Sequence, residues 1–338
     1  PVYLKNRIYT MPQFLAKRYN DQVSTIMAVF WLLVYVFVNL TSIIYLGALA
    51  ISSISPISFE WSIVGLSVFS IIVTLGGMKV IGYTDVFQVL VLTVGGLITS
   101  YIALTVVSEQ FGMGKNMVAG FQHLMQAAPD HFKMIFDKPG PGATQKEIED
   151  YSSLPGMAMM VAGIWVAHLN YWGCNQYITQ RALGADLKTA RTGILFAAFL
   201  KLMMPILVVV PGIAAYVLYQ NGGLQTQMMT NGVLNEDNAY SAVVGFLPVG
   251  LKGLSMAALT AAIVASLAGK ANSISTIYSL DIYKKYINKD ASDKKIVTTG
   301  RVIIVLSLLI AIIINWKDTL GIGGKGGFEF IQKYTGYI

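Results

Sequence analysis

The stretch Ala28-Val-Phe-Trp-Leu-Leu-Val-Tyr-Val-Phe-Val-Asn-Leu-Thr-Ser-Ile-Ile-Tyr-Leu-Gly-Ala-Leu-Ala50 decides the class of this protein. It carries no charged residue, and it is longer than the roughly 20 residues with which an α-helix crosses a hydrocarbon layer about 30 Å thick. A second uncharged apolar run extends from Val302 to Ile314. Such runs predict helices that span a lipid bilayer.

The composition agrees with a membrane protein. Only 12% of the 338 residues are charged and 55% are hydrophobic, whereas soluble domains carry about 25% charged residues. The net charge of +7 lies in short segments between apolar runs, which argues against a nucleic-acid surface. One cysteine excludes an internal disulfide and a cysteine metal cluster. We find no hydrolytic or phosphate-binding constellation, so we do not expect an enzyme.

Seven membrane spans can be drawn along the chain. They cover residues 23–52, 61–77, 86–107, 157–178, 193–218, 251–280 and 297–315, and an eighth begins near Phe328. A long loop at 108–155 separates the third and fourth spans, and we predict one short amphipathic helix in it at 117–128. The chain starts at Pro1 and stops within a new apolar segment, so we expect a fragment of a single transmembrane domain that covers residues 1–338.

The lysines and arginines of the short loops predict the orientation. They are concentrated before the first span and after the second, fourth and sixth spans, with Lys79 after the second. Because short loops rich in Lys and Arg stay in the cytoplasm, we expect Pro1 in the cytoplasm and the loop 108–155 outside. The sequence therefore predicts a multi-pass protein of the plasma or inner membrane.

Several spans contain polar or helix-breaking residues. The fourth has a polar cluster around Asn170 and Asn175, the fifth has Pro205 and Pro211, and the sixth is dominated by small residues. We predict that the fourth span is interrupted between Asn170 and Asn175 and that the sixth is broken. Discontinuous helices with polar groups inside the membrane are typical of transporters, although a seven-helix receptor or sensor remains an alternative from the residues alone.

Six segments, taken in order, resemble the sodium/solute symporter family, in its sodium/galactose and sodium/glucose branch. They are Asn-Leu-Thr-Ser-Ile-Ile-Tyr-Leu-Gly at 39–47, Tyr-Thr-Asp-Val-Phe-Gln at 83–88, Tyr-Trp-Gly-Cys-Asn-Gln at 171–176 with Gln-Arg at 180–181, Phe-Leu-Lys-Leu at 199–202, Asn-Ser-Ile-Ser-Thr at 272–276 with Asp-Ile-Tyr at 281–283, and Phe-Ile-Gln-Lys-Tyr-Thr-Gly at 330–336. The resemblance implies an all-α fold of two inverted five-helix repeats, present from just before the third core helix to the start of the tenth. It also implies symport of a sugar with sodium by alternating access, or, within the same family, of another polar solute such as an inositol.

Lys201 is the most unusual residue of the spans. A lysine at the centre of a bilayer costs about 2.5–3.5 kcal/mol on insertion scales, and we place it about 12 Å from the cytoplasmic start of its helix. A lysine at that depth either serves a function or extends its side chain toward the interface. The resemblance implies a hydrogen bond to a substrate hydroxyl.

Four further residues are implied in sugar binding by the resemblance. Asn39 and Gln332 carry amides that donate and accept, as a hydroxyl does, although the residues alone favour a helix-to-helix hydrogen bond for each. Tyr171 and Trp172 would be interfacial aromatics on composition alone. Their polar neighbours favour an unwound segment, and the family match places Tyr171 as a cap on the sugar.

Ala262, Ala265 and Ser266 share one face of the sixth span at helical spacing. Small residues on one face also suit close helix packing. The resemblance implies a sodium site built from backbone carbonyls and a hydroxyl. The family often has two serines where this chain has Ala265-Ser266, so one hydroxyl ligand is lost.

Two charged positions remain. Asp85, or Thr84 before it, is expected to cap the third span, and the resemblance implies a place for Asp85 on the route by which the ion leaves. Lys270 lies within the sixth span, and the sequence gives no physical account of it.

Overall fold

Helices form almost all of the regular structure. The structure is a computed structural model that describes residues 1–135, 137–153, 156–230 and 232–316, together with Phe330 and Tyr334. Two short helices, α1 (Val2–Asn6) and α2 (Met11–Arg18), precede the first long one. The hydroxyl of Thr10 caps α2 by accepting a hydrogen bond from the Gln13 amide at 3.2 Å. The eighth predicted span lies outside the described residues, apart from Phe330 and Tyr334.

The first predicted span is a single helix with widened turns at its centre. It consists of α3 (Asp21–Leu33), a π-helical segment (Val34–Leu40) and α4 (Thr41–Ile54). Asn20 caps α3 by accepting from the Val23 amide at 2.9 Å. The predicted span of 23–52 is confirmed, but the π-helical turns, which shift the backbone pairing from i→i−4 to i→i−5, were not predicted.

The next two helices meet at a pair of glycines. Helix α5 (Phe59–Leu75) and helix α6 (Gly77–Gln110) are separated only by Gly76, and Gly77 has a φ of +80° that favours glycine. The prediction that the third span begins at residue 86 is therefore wrong. Lys79 lies inside α6 rather than in a loop, and neither Thr84 nor Asp85 is a helix cap.

The segment between the third and fourth spans holds two α-helices. Helix α7 (Met117–Ala127) confirms the predicted amphipathic helix, and a 3₁₀ turn follows at Pro129–Phe132. Helix α8 (Gln145–Ser153) was not predicted. A signal for it was present: Thr144 and Glu147 form a capping box, in which the Thr144 amide donates to the Glu147 carboxylate at 2.7 Å and the Glu147 amide donates back at 3.3 Å.

The fourth span is divided into short helical pieces. It consists of α9 (Gly156–Ala158), a π segment (Met159–Gly163), α10 (Ile164–Leu169), a second π segment (Asn170–Cys174) and α11 (Gln176–Leu183). The interruption falls at Asn175, which has extended φ and ψ of −75° and 119°. The predicted interruption is therefore present. The expectation of an unwound segment is wrong for residues 170–174, because they are π-helical.

The fifth span, α12 (Leu187–Gln220), is continuous through both of its prolines. After it the chain forms small elements on the way to the sixth span. These are α13 (Gln225–Met228), a hairpin of β1 (Met229–Thr230) and β2 (Val233–Leu234), a 3₁₀ turn (Glu236–Asn238) and α14 (Ala239–Val244).

The sixth and seventh spans complete the described bundle. Helix α15 (Val249–Ile277) continues into a π segment (Tyr278–Ile287), and α16 (Asp293–Trp316) follows. The expected break in the sixth span is wrong, because α15 is an uninterrupted α-helix. Its small residues act in packing, since they let neighbouring helices approach closely.

Five of the described helices are long and apolar enough to cross a membrane. They are Asp21–Ile54, Gly77–Gln110, Leu187–Gln220, Val249–Ile287 and Asp293–Trp316. Two buried clusters hold the bundle together. One joins the first span, α5, α15 and α16, and includes Tyr35 and Ile44. The other joins α6, α7, α12 and α14, and includes Leu124 and Leu218.

Candidate functional site

Lys201 meets Tyr171 and Trp172 where α12 passes the second π segment of the fourth span. The Lys201 ammonium lies 4.3 Å from the centroid of the Tyr171 ring and 5.2 Å from that of Trp172. The two rings contact each other edge to face, with centroids 5.5 Å apart. Both distances to the ammonium are within the range of a cation–π interaction. Three residues that the resemblance implies in sugar binding therefore form one cluster.

The position of this lysine differs from the prediction. Because α12 starts at Leu187, Lys201 lies about 21 Å along the helix at roughly 1.5 Å per residue. It is therefore near the middle of α12, and its residue surface is exposed. An accessible ammonium held on two rings can donate hydrogen bonds to a ligand that lies beside those rings.

Asn39 is not joined to this cluster by a hydrogen bond in the described part of the chain. Its side chain is 6% exposed, and its amide nitrogen donates to the carbonyl of Val34 at 3.2 Å. This local bond is one that the π-helical turn makes possible. Gln332, the other predicted amide, lies outside the described residues.

The helix break at Asn175 is held from both sides. The Asn175 side-chain oxygen accepts from the Tyr35 hydroxyl at 2.9 Å and from the Tyr177 amide at 3.0 Å, so that it also caps α11. Its neighbour Gln176 accepts from the Met11 amide at 2.9 Å and donates to the Tyr9 carbonyl at 3.0 Å. The break is therefore anchored to the first span and to the N-terminal segment.

Helix α11 is fastened to α15 just after the break. The Gln180 side chain donates to the Gly269 carbonyl at 3.0 Å and accepts from Asn272 at 3.3 Å. A Cβ atom at Gly269 would lie 2.5 Å from the Tyr177 ring and 2.7 Å from the Arg181 guanidinium. The absence of a side chain at Gly269 is what lets α11 approach so closely.

The residues predicted for sodium lie on this part of α15. Ala262, Ala265 and Ser266 are half-buried on a continuous helix, and Ser266 lies near the Tyr177 side chain. Carbonyl oxygens of a regular helix keep one lone pair each for a further partner. This face can therefore offer a cation oxygen ligands without an unwound backbone.

Asp85 is paired with Arg181. One oxygen of its carboxylate accepts from the Arg181 Nε at 3.1 Å and lies 3.0 Å from the second guanidinium nitrogen. Its other oxygen, Oδ1, is buried and has no hydrogen-bond partner among the described residues. The pair ties α6 to α11. The predicted capping role of Asp85 is replaced by this ion pair.

Lys270, for which the sequence offered no account, is enclosed by aromatic rings. Its ammonium lies 4.7 Å from the centroids of both Tyr35 and Tyr177. The Arg181 guanidinium lies 4.2 Å from the centroid of the same Tyr177 ring. The sequence marked Lys270 by its place in an apolar span, but its aromatic partners come from two other segments of the chain.

The family model of the sodium:solute symporters matches residues 1–322. The chain belongs to this family. Its members include a sodium/glucose cotransporter of Vibrio parahaemolyticus, which is 45% identical to this symporter-family chain over 100% of the chain and 61% of the relative. A sodium/myo-inositol cotransporter 2 of Bos taurus is 30% identical, again over 100% of the chain and 51% of the relative. This family member thus spans between about half and three fifths of the length of these relatives.

A solved structure shares the fold. The substrate-bound, outward-open state of a Na⁺-coupled sialic acid symporter superposes with a TM-score of 0.76 at 20% identity, over 97% of this chain and 66% of that one. The all-α inverted-repeat transporter fold is confirmed by this likeness, and the apolar helices place the chain among multi-pass membrane proteins.

Proposed function

We propose that this protein carries out sodium-coupled symport of a sugar of the glucose or galactose type. The observation that carries the proposal is the Lys201 ammonium seated on Tyr171 and Trp172 near the middle of α12. Aromatic rings suit the apolar face of a sugar ring, and an ammonium with three donors suits its hydroxyl oxygens. The 45% identical relative named as a sodium/glucose cotransporter supports the same substrate class.

Sodium is the proposed driving ion. It would bind at Ala262, Ala265 and Ser266 on α15, and Asn39 and Gln332 would complete the polar contacts to the sugar. Sodium can raise sugar affinity only to the extent that it binds more tightly to the state that also binds sugar. We place the protein in the plasma or inner membrane, with Pro1 on the cytoplasmic side.

Myo-inositol is the second candidate substrate. It is favoured by the 30% identical relative that is named as a sodium/myo-inositol cotransporter. A cyclic polyol presents the same hydroxyl groups to an ammonium, so the cluster at Lys201 does not separate the two substrates. Competition between galactose and myo-inositol for one site separates them directly.

The test of the sugar site is Lys201→Ala in the protein expressed from its complete reading frame. Loss of a charged hydrogen-bond donor costs about 1.5–3 kcal/mol, which corresponds to a roughly tenfold to hundredfold weaker sugar affinity. Sodium binding without sugar is expected to stay unchanged, because the proposed ligands lie on α15. Sugar and sodium binding are measured separately by titration of the purified variant.

Lys188→Ala is the matched control, since Lys188 is an exposed lysine near the start of the same helix. It is expected to bind sugar like the wild type. Wild-type sugar affinity in a normally folded Lys201→Ala variant would remove Lys201 from the site.

A further inference from the structure

Lys270 is a cation within an apolar helix whose partners are aromatic. The residue is 8% exposed, and its ammonium lies against Tyr35 and Tyr177. No carboxylate lies within ion-pair distance of it in the part of the chain that the structure describes. Ionisable residues inside a membrane are costly, and their presence there points to a function. Aromatic faces stabilise a cation without cancelling its charge.

The uncancelled charge lies next to the proposed sodium ligands. Lys270 follows Ser266 by one helical turn, a spacing at which two Cβ atoms are about 5–6 Å apart on one helix face. Both residues also lie beside the same side chain, because the Tyr177 hydroxyl is near Ser266 and the Tyr177 ring faces the Lys270 ammonium at 4.7 Å. The Lys270 ammonium and a cation bound at Ser266 would thus lie one helical turn apart along α15, both beside Tyr177.

Nearby charges leave this region positive. Arg181 contacts the Tyr177 ring as well, but its charge is matched by Asp85 at 3.0 Å. Of Lys270, Arg181 and Asp85, Lys270 is the one with no residue of opposite charge beside it in the part of the chain that the structure describes. A sodium ion at Ser266 would therefore experience repulsion from Lys270, at a distance where Coulomb energies are still large in a protein interior.

We propose that Lys270 sets the sodium affinity of this protein by electrostatic repulsion. The inference rests on the proposed sodium site at Ala262, Ala265 and Ser266. Its consequence for the transport cycle is that the ammonium keeps sodium binding weak enough for release into the cytoplasm. Lys270 would lower the binding energy of the ion by repulsion and would not coordinate the ion.

The experiment is a sodium titration of Lys270→Met in the protein expressed from its complete reading frame. Methionine keeps most of the length of the lysine side chain, is unbranched and apolar, and removes the charge. We expect the half-saturating sodium concentration to fall by tenfold or more, measured as ²²Na⁺ binding in detergent. A gain in affinity is informative, since a merely structural role for Lys270 would leave sodium binding unchanged or weaken it.

Two further variants make the result specific. Lys294→Met removes the charge of an exposed lysine at the start of α16 and is expected to leave sodium affinity unchanged. Lys270→Gln, which is smaller and polar, is expected to show the same gain as Lys270→Met and serves if the methionine variant folds poorly.

The outcomes separate this inference from the proposed function. If the wild type binds sodium and the folded Lys270 variants bind it with the same or lower affinity, the inference is overturned. Sodium coupling itself would then stand. A wild type that binds no sodium would overturn the proposed function, and the inference with it.

Discussion

At the scale of single residues, Gly269 controls how closely α11 and α15 approach. A Cβ atom there would lie 2.5 Å from Tyr177 Cε2 and 2.7 and 2.8 Å from the two terminal nitrogens of Arg181. Arg181 cannot move away freely, because it is bound to Asp85. The packing of Tyr177 and of the Arg181–Asp85 pair against α15 therefore requires a glycine at position 269.

Gly269→Ala is expected to destabilise the protein by about 1–3 kcal/mol, the usual cost of overpacking a well-packed site. The control is Gly253→Ala on the same helix, where an added Cβ meets nothing within 4 Å. Gly253→Ala is expected to be neutral or to stabilise by about 0.5–1 kcal/mol, through helix propensity. Thermal unfolding of the detergent-solubilised proteins measures both. Equal midpoints for the two variants would show that the contact at Gly269 is not tight.

The residues alone singled out Lys201 and Lys270 but not their partners, and only the resemblance to the symporter family connected Lys201 with Tyr171 and Trp172. Lys201 and Lys270 stand out because a lysine in an apolar run is costly, and this needs no structure. Lys201 lies against rings 29 and 30 residues earlier, and the Tyr35 ring that holds Lys270 comes from another span. Such pairings depend on how the helices pack against each other. The pattern of residues within one helix does not show which residues of another helix it will contact.

At the scale of elements, the interruption at Asn175 is the feature that organises the site. Asn175 caps α11 and accepts from Tyr35, so one side chain both starts a helix and joins it to another span. The polar cluster around this residue predicted an interruption. The π-helical turns before it could not be predicted, because one extra residue per turn leaves no distinct pattern in a segment of five residues.

Asn175→Ala is expected to cost about 2–3 kcal/mol of stability. About 1 kcal/mol comes from the lost cap and about 1–2 kcal/mol from the Tyr35 hydroxyl, which is left buried without its acceptor. Asn20→Ala is the matched control, because Asn20 caps α3 at an exposed site and its side chain accepts no second hydrogen bond from the described residues. It should cost only about 1 kcal/mol. Thermal unfolding that gives the same loss for both variants would contradict the double role of Asn175.

Helix bounds show the same limit of prediction. The long apolar runs correctly predicted the five described helices that are long and apolar enough to cross a membrane, since hydrocarbon thickness sets a minimum length. Helix α6 nevertheless starts at Gly77 and not near residue 86. The polar residues Thr84 and Asp85 lie within this helix because Arg181 pairs with the Asp85 carboxylate.

At the scale of the whole molecule, the distribution of lysines and arginines predicts the orientation in the membrane. Asn221 follows α12 and Lys289 lies between the sixth and seventh spans, and both are exposed. We expect Asn221 outside the cell and Lys289 in the cytoplasm.

Cysteine labelling tests this orientation. In a Cys174→Ala background, Asn221→Cys is expected to react with an impermeant maleimide added to intact cells. Lys289→Cys is expected to react only after the membrane is permeabilised. Labelling of Lys289→Cys in intact cells would reverse the proposed topology, because the basic loops would then face outward against the rule for Lys and Arg.

The proposed symport is tested most directly by sugar uptake into proteoliposomes that contain the purified protein. With an inward sodium gradient, radiolabelled galactose or glucose is expected to accumulate above its external concentration. With potassium in place of sodium the accumulation should be lost. Uptake that proceeds equally without sodium, or sodium-driven accumulation of myo-inositol with neither galactose nor glucose transported, would contradict the assignment of a sodium-coupled sugar symporter.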